Sequence, residues 1–341
     1  MTPLPTPLPT SRLGRTDMEI TRVGLGTLAM GGAEWVSGRG HQDDQESVKT
    51  LVRAVELGIN WLDTAPIYGR GHAERVVGRA LRELPAADRP LVFTKGGLHW
   101  DESDPKGEPR RVTDPRSLRR EVEGSLRRLG VERIDLYQMH WPPTDGTPVE
   151  VYWETFVELR DEGKIRAAGL SNHDVPMLRS AEEIGHVDSH QPPFSALSRQ
   201  AAADTIPWCA AHGTGVIVYA PMESGLLSGA FSRERVAALD PGDWRHGHPD
   251  FTGERLERNL RVADALTEVA QRHGVPTSAV AVAWTLAFPG VTAAIVGAKN
   301  PGQFDGWLSA ARLRLSPDDL SLIAAAITAS GAGAGPVRPR D

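Results

Sequence analysis

One pattern constrains this chain more than any other: a short apolar run, a loop and an amphipathic stretch, repeated eight times between residues 22 and 315. The runs are 22–27, 60–65, 91–96, 134–140, 165–171, 186–191, 215–220 and 292–297. Between them, Val48, Leu51, Val52 and Val55 share one helical stripe, and Leu118, Val122, Leu126 and Leu129 share another. Asp114 followed by Pro115 marks a helix start, Gly130 marks its end, and Gly58, Gly163 and Gly213 sit at equivalent ends. Strands that alternate with helices pair in parallel, because a parallel neighbour requires a crossover. Eight such units predict an α/β fold, a closed (β/α)8 TIM barrel forming a single domain over residues 13–330. The texture alone also admits a doubly wound open sheet. For dinucleotide binding that sheet would want G-x-G-x-x-G after its first strand, and Gly24, Gly26, Gly31 and Gly32 do not fall in that spacing.

The rest of the chain narrows the classes of partner. A formal net charge of -6 argues against nucleic acid and anionic membrane surfaces. No apolar run approaches the ~20 residues of a membrane span. Residues 1–12 alternate proline with small and apolar residues and lack the pattern of a signal peptide, so they read as a loosely held arm. Residues 331–341, rich in Gly, Ala and Pro, read as a disordered tail. Cys209 is the single cysteine, which excludes an intrachain disulfide and fits the cytoplasm; among Ile206, Trp208 and Ala210 it reads as a buried thiol.

In a closed parallel barrel, reactive side chains emerge at the C-terminal ends of the strands. The second run leads through Asp63 to Tyr68, the third ends at Lys95, and the fourth at His140. Singly, each has a plain structural reading as turn former, rim aromatic, solvated amine or strand cap. Together they form a proton-donating set. Reducing a carbonyl requires hydride at carbon and a proton at oxygen. Tyr68 is the candidate proton donor, Lys95 a cation able to lower the phenol pKa, Asp63 the carboxylate that holds the ammonium, and His140 the group that orients the substrate oxygen.

At these residues the chain resembles the aldo-keto reductase superfamily. Asp63-Thr64-Ala65 with Tyr68-Gly69, then Thr94-Lys95, then Met139-His140-Trp141-Pro142 match the catalytic tetrad of that family in order and spacing. The likeness runs from about Leu13 to Ile327, and is nearest to the bacterial branch of glycerol-dehydrogenase-like and stress-related reductases. The resemblance implies NADPH/NADP+ as cofactor and a small-molecule carbonyl as substrate. It places Ser171, Asn172 and Gln191 on the nicotinamide carboxamide and Tyr219, followed by Pro221, against the nicotinamide ring. It makes Gly225, Leu226 and Ser228 part of a strap over the pyrophosphate. Gly297 opens a phosphate-binding loop onto a helix N-terminus, Lys299 faces the adenosine 2′-phosphate, and Gln303 lies at the adenine end.

The chain departs from the family at three places. Phe194-Ser195 replaces the usual Tyr-Asn after Gln191, Trp307 stands where Asn is common, and no long substrate loop follows Ile327. Substrate contacts are therefore expected from two insertions, 99–112 with Trp100, and 223–253 with Trp244, Arg245, His246 and His248. The histidines of the second lack acids or cysteines at ligand spacing, so no metal is expected. Besides a reductase, a slowly turning NADPH-binding regulatory subunit and a metal-dependent barrel hydrolase are readings of the same frame. The oligomeric state stays open.

Overall fold

The computed structural model describes residues 7–33, 35, 38, 40–104, 107–240 and 243–339. Its eight barrel strands are β3 (Val23–Gly26), β4 (Trp61–Asp63), β5 (Leu91–Gly96), β8 (Ile134–Met139), β9 (Ile165–Ser171), β10 (Ser189–Gln191), β11 (Gly215–Val218) and β12 (Val291–Gly297). They pair in that order, all in parallel, and β12 returns to β3 through Ala294–Val23 to Gly297–Gly26. The ring is closed and the open-sheet alternative is excluded. Two antiparallel hairpins flank it: β1 (Thr10–Arg12) with β2 (Glu19–Thr21), and β6 (Leu98–His99) with β7 (Arg110–Arg111).

The outer layer consists of α1 (Asp44–Glu56), α2 (His72–Glu83), α3 (Pro115–Leu129), α4 (Val149–Asp161), α5 (Val175–Ile184), α6 (Thr205–His212), α7 (Arg233–Ala237), α8 (Gly253–His273), α9 (Thr277–Leu286) and α10 (Pro317–Ser330). Their starts follow the local chemistry. Asp114 accepts from the Ser117 backbone N–H ahead of α3, and Ser316 with Asp319 forms a reciprocal capping box on α10. Gly130 and Gly213 end their helices in the left-handed conformation, as their positions implied.

Two main apolar cores result. The larger lies between the strands and the helix ring. The smaller fills the barrel, where Trp61, Phe93, Leu136, Ala167, Ile217, Ala293 and Ile295 meet Leu13, Met18 and Ile20. The space for the Trp61 indole comes from Gly24, where a Cβ would fall 2.1 Å from the ring, and the indole N–H donates to the Thr21 carbonyl at 2.9 Å. Cys209 is fully buried, and that burial pushes its thiol up to about 12.

Both termini depart from expectation. The arm predicted over 1–12 is anchored in its described part: β1 pairs with β2, the Pro9 carbonyl accepts from Arg22, and the Pro7 carbonyl accepts from Arg312. Residues 1–6 lie outside the described residues. The tail expected to be disordered from 331 runs instead along Arg199, whose side chain donates to Ala332 and Gly335 and whose backbone N–H donates to Ala334. Buried guanidinium seeks acceptors, and backbone carbonyls of a Gly/Ala segment supply them without side-chain hindrance. Residues 340 and 341 are not among the described ones.

Candidate active site

The four strand-end residues converge at one mouth. Lys95, fully buried on β5, donates to Asp63 Oδ1 at 2.6 Å and to the Thr64 carbonyl at 3.0 Å. The other carboxylate oxygen of Asp63 accepts from Gln191 Nε2 at 3.0 Å, so Gln191 is bound into the set from the far side of the barrel. The Lys95 ammonium lies 5.4 Å from the centre of the Tyr68 ring, and the His140 ring stands edge-on to Tyr68 at 5.9 Å.

Tyr68 reaches this place because its turn packs against another. Gly69 adopts φ +62°, and a Cβ there would come within 2.2 Å of the Gly31 carbonyl; a Cβ on Gly31 would meet the Gly69 nitrogen at 2.7 Å. Two residues without side chains thus let the 28–31 segment abut the Tyr68 turn. Trp35, with its ring 5.9 Å from that of Tyr68, joins Ile67, Leu98 and the half-buried Trp100 and Trp141 in an apolar wall around the phenol.

The electrostatics correct one expectation. Lys95 was expected to lower the Tyr68 pKa, yet burial, followed by the Asp63 carboxylate, holds the phenol well above the ordinary tyrosine range. The physical reason is that Asp63 largely neutralises the Lys95 charge at contact distance, while the enclosed phenolate would lose its hydration. Burial also draws Lys95 below the usual lysine range against the opposing pull of Asp63. His140 is held well below the histidine range, by burial first and the Lys95 charge second, and is a neutral imidazole at pH 7. The resting mouth therefore carries a protonated phenol beside a neutral imidazole.

A second group joins the ends of β9, β10 and β11. Ser171 Oγ donates to the Gln191 carbonyl at 2.9 Å. Asn172, at φ +63°, donates through its amide to the His140 carbonyl and accepts from the Tyr219 hydroxyl at 2.8 Å. Behind them stands a buried residue that sequence reasoning missed. His173 uses Nδ1–H on the Ser171 carbonyl at 2.8 Å and accepts at Nε2 from the Tyr152 hydroxyl at 2.8 Å. No short motif announces it, since its two partners lie on different elements.

Beyond Tyr219 and the buried Pro221, the strap runs as a short 3-10 segment through Gly225, Leu226 and Ser228, with Glu223, Ser224 and Gly225 at positive φ. Glu223 accepts from Ser195 Oγ at 2.6 Å, and that oxygen also accepts the N–H groups of Leu197 and Ser198. The Phe194-Ser195 departure thus has a local use: Ser195 ties the strap, while Phe194 packs on Trp284 and Phe288. The predicted helix N-terminus after Gly297 is a correction, because only a six-residue 3-10 turn (Pro301–Gly306) follows. The backbone N–H of Lys299 is taken by Gln303 Oε1 at 2.7 Å, and Trp307 is buried against Phe304. An Asn-like contact from position 307 is thereby removed.

Of the two insertions, the first forms the β6–β7 hairpin beside Tyr68. The second packs its own small core of Leu226, Val236, Phe251 and Leu256, with Trp244 against His248 and Phe251 and Arg245 paired to Asp243. Among the described residues no group of three or more His, Cys, Asp or Glu side chains could hold a metal ion. Nor, among them, is any helix long and apolar enough to cross a membrane.

A closed barrel with an acid, an amine, a phenol and an imidazole at its C-terminal mouth defines a carbonyl-handling oxidoreductase class, and the sequence model of the aldo/keto reductase family matches residues 22–328. The chain belongs to that family, whose members reduce carbonyl compounds with a nicotinamide cofactor. It is similar to aldo-keto reductase YhdN of Bacillus subtilis (strain 168), at 34% identity over 85% of each chain. It is equally similar, at 34% identity, to the NADH-specific methylglyoxal reductase of Escherichia coli (strain K12), over 91% of this chain and 96% of that one. Among solved structures, the glycerol dehydrogenase AKR11B4 from Gluconobacter oxydans superposes with a TM-score of 0.87 at 35% identity, covering 97% of this chain and 98% of that one. The holo form of aldo-keto reductase AKR11C1 from Bacillus halodurans gives 0.74 at 25% identity, covering 94% and 96%. The bacterial branch of the family is the one to which these relatives point.

Proposed function

We propose that the chain reduces an aldehyde or ketone to an alcohol with NADPH, reversibly, using Tyr68 as proton donor. The observation that carries this reading is the buried Lys95–Asp63–Gln191 set beneath a protonated Tyr68, with a neutral His140 facing the same phenol. Bound NADPH supplies the hydride. The donor set fits that group: amide and hydroxyl functions of Ser171, Asn172 and Gln191 complement a carboxamide, and Tyr219 offers a flat half-buried ring beside them.

The division of labour follows from charge. As hydride reaches the carbonyl carbon, negative charge grows on oxygen, and the product alkoxide is far more basic than a phenolate. Tyr68 therefore gives up its proton despite a raised resting pKa. The phenolate left behind lies beside the Lys95 ammonium, 5.4 Å from the ring centre, whose attraction offsets part of the desolvation cost although Asp63 screens it. Asp63 holds the ammonium in place, and His140 as a neutral hydrogen-bond donor orients the carbonyl without drawing the proton to itself. Reversal delivers the alcohol proton to the same phenolate.

Lys299 on the loop after β12 is the residue we assign to the 2′-phosphate, which favours NADPH over NADH. The Escherichia coli relative is named as NADH-specific, so local residues rather than family membership set this choice. Gly225, Leu226 and Ser228 form the strap over the pyrophosphate, Gly297 leaves room where the loop begins, and Gln303 lies at the adenine end.

The test is loss of NADPH absorbance with a reactive aromatic aldehyde, for the chain and for Tyr68→Phe. Aldehyde-dependent oxidation that disappears in the variant, with NADPH affinity kept, is the expected result. Turnover retained in Tyr68→Phe removes the phenol as the acid. Absence of turnover in the parent chain, with NADPH bound tightly, moves the reading to a regulatory cofactor-binding subunit.

A further inference from the structure

We propose that the outer face between α2 and α3 is a second binding site, for a small polyvalent phosphate anion, remote from the strand-end chemistry. Two helices build it. Arg75, Arg79 and Arg82 follow at spacings of four and three along one face of α2, and on α3 Arg127 and Arg128 lie three and four residues beyond Gly124, next to it on the helix surface. Among the described residues these six line a groove of about 460 Å³, a size within the range of small-molecule sites.

Its charge is only partly compensated. Arg79 pairs with Asp44 at 2.9 Å and Arg128 with the buried Glu74 at 2.6 Å. Arg75, Arg82 and Arg127 have no close ion pair among the described residues, with Glu123 acting on Arg127 from farther off, so the groove is locally cationic in a chain of net charge -6. The groove is also shaped around one guanidinium. A Cβ on Gly124 would fall 2.9 Å from Arg128 Nη1, and one on Gly71 would fall 2.7 Å from Arg128 Cδ. Arg128 is thereby laid along the floor, anchored by Glu74, which in turn accepts from Thr94 on β5 at 2.7 Å.

Guanidinium forks match phosphate oxygens in geometry as well as charge. A monovalent carboxylate compensates one of these three cations, whereas a pyrophosphate-type anion compensates them together. The groove is short, lined by two adjacent helix faces, which suits a small anion better than an extended acidic surface.

The test is calorimetric titration of inorganic pyrophosphate at low salt, with and without saturating NADP+, into the full chain and into a variant carrying Arg75→Ala, Arg82→Ala and Arg127→Ala. All three side chains are exposed, and circular dichroism with thermal melting checks that the variant folds. The expected result is one saturable pyrophosphate site that persists in the presence of NADP+ and weakens roughly tenfold or more in the variant. Equal binding by both proteins, binding abolished by NADP+, or no saturable binding overturns the proposal. So does a poly-glutamate peptide that binds the parent chain more tightly than pyrophosphate does, because the face then serves an acidic protein.

Discussion

His173 lies buried between the Ser171 carbonyl and the Tyr152 hydroxyl, where burial outweighs the pull of the neighbouring Asp174 carboxylate and favours the neutral imidazole. Burial pulls its pKa down to about 4, against ~6.5 in an unfolded chain. Because the folded value is depressed, the unfolded state binds the extra proton first. The contribution is complete above the unfolded pKa and is lost as pH falls from about 6.5 toward about 4, at ~1.4 kcal/mol for each pH unit. We predict that urea unfolding shows stability falling across that window, and that His173→Gln has a flatter pH profile with lower stability at pH 7. An unchanged profile in the variant would show that other groups govern the acid response. Lys299 acts at the same scale. A charge-assisted hydrogen bond to phosphate contributes ~1.5–3 kcal/mol, so Lys299→Ala should weaken NADPH by a factor of ten or more while changing NADH little. Equal losses for the two cofactors, measured by fluorescence titration, would remove the 2′-phosphate role.

At the scale of elements, the segment after α10 behaves as part of the fold. Arg199 is 2% exposed, and its side chain donates to the carbonyls of Ala196, Ala332 and Gly335. Withdrawing acceptors from a buried cation costs about 1–3 kcal/mol. Truncation after Ser330 should lower the unfolding free energy measured in urea by about that amount. In a double-mutant cycle, Arg199→Gln should cost less in the truncated chain than in the full one. Additive effects would mean that the tail and Arg199 are energetically independent. The same loop continues to Ser195 and its bond to Glu223, so it also supports the strap.

For the whole molecule, the decisive packing is at the N-terminal end of the barrel. Leu13, Met18 and Ile20, all at most 1% exposed, close the interior core beneath Trp61 and Phe93. Burying a side chain of this size contributes ~1.5–3 kcal/mol, and a domain has only ~5–15 kcal/mol of net stability. Removal of residues 1–21 should therefore abolish a cooperative thermal transition or lower its midpoint steeply. A truncated chain that melts like the parent would show that the hairpin is an ornament rather than a plug.

The sequence by itself determined the periodic pattern and hence the eight parallel units; the predicted runs 91–96 and 165–171 coincide with β5 and β9. It also marked Asp63, Tyr68, Lys95 and His140, because a closed parallel barrel sends strand ends to one face whatever the details of the loops. Only the tertiary structure decided what these groups do to one another. The Asp63–Lys95 contact and the tie from Gln191 join residues 32 and 128 positions apart, and the raised phenol pKa comes first from burial, none of which a local pattern encodes. The same holds for the buried His173, the docked termini and the arginine groove. Composition marks a Pro-rich arm or a Gly-rich tail as flexible, but acceptors and apolar surface offered by distant elements settle whether it is held. Local sequence thus dictates where strands and helices begin, while burial and electrostatics become defined only when the barrel closes.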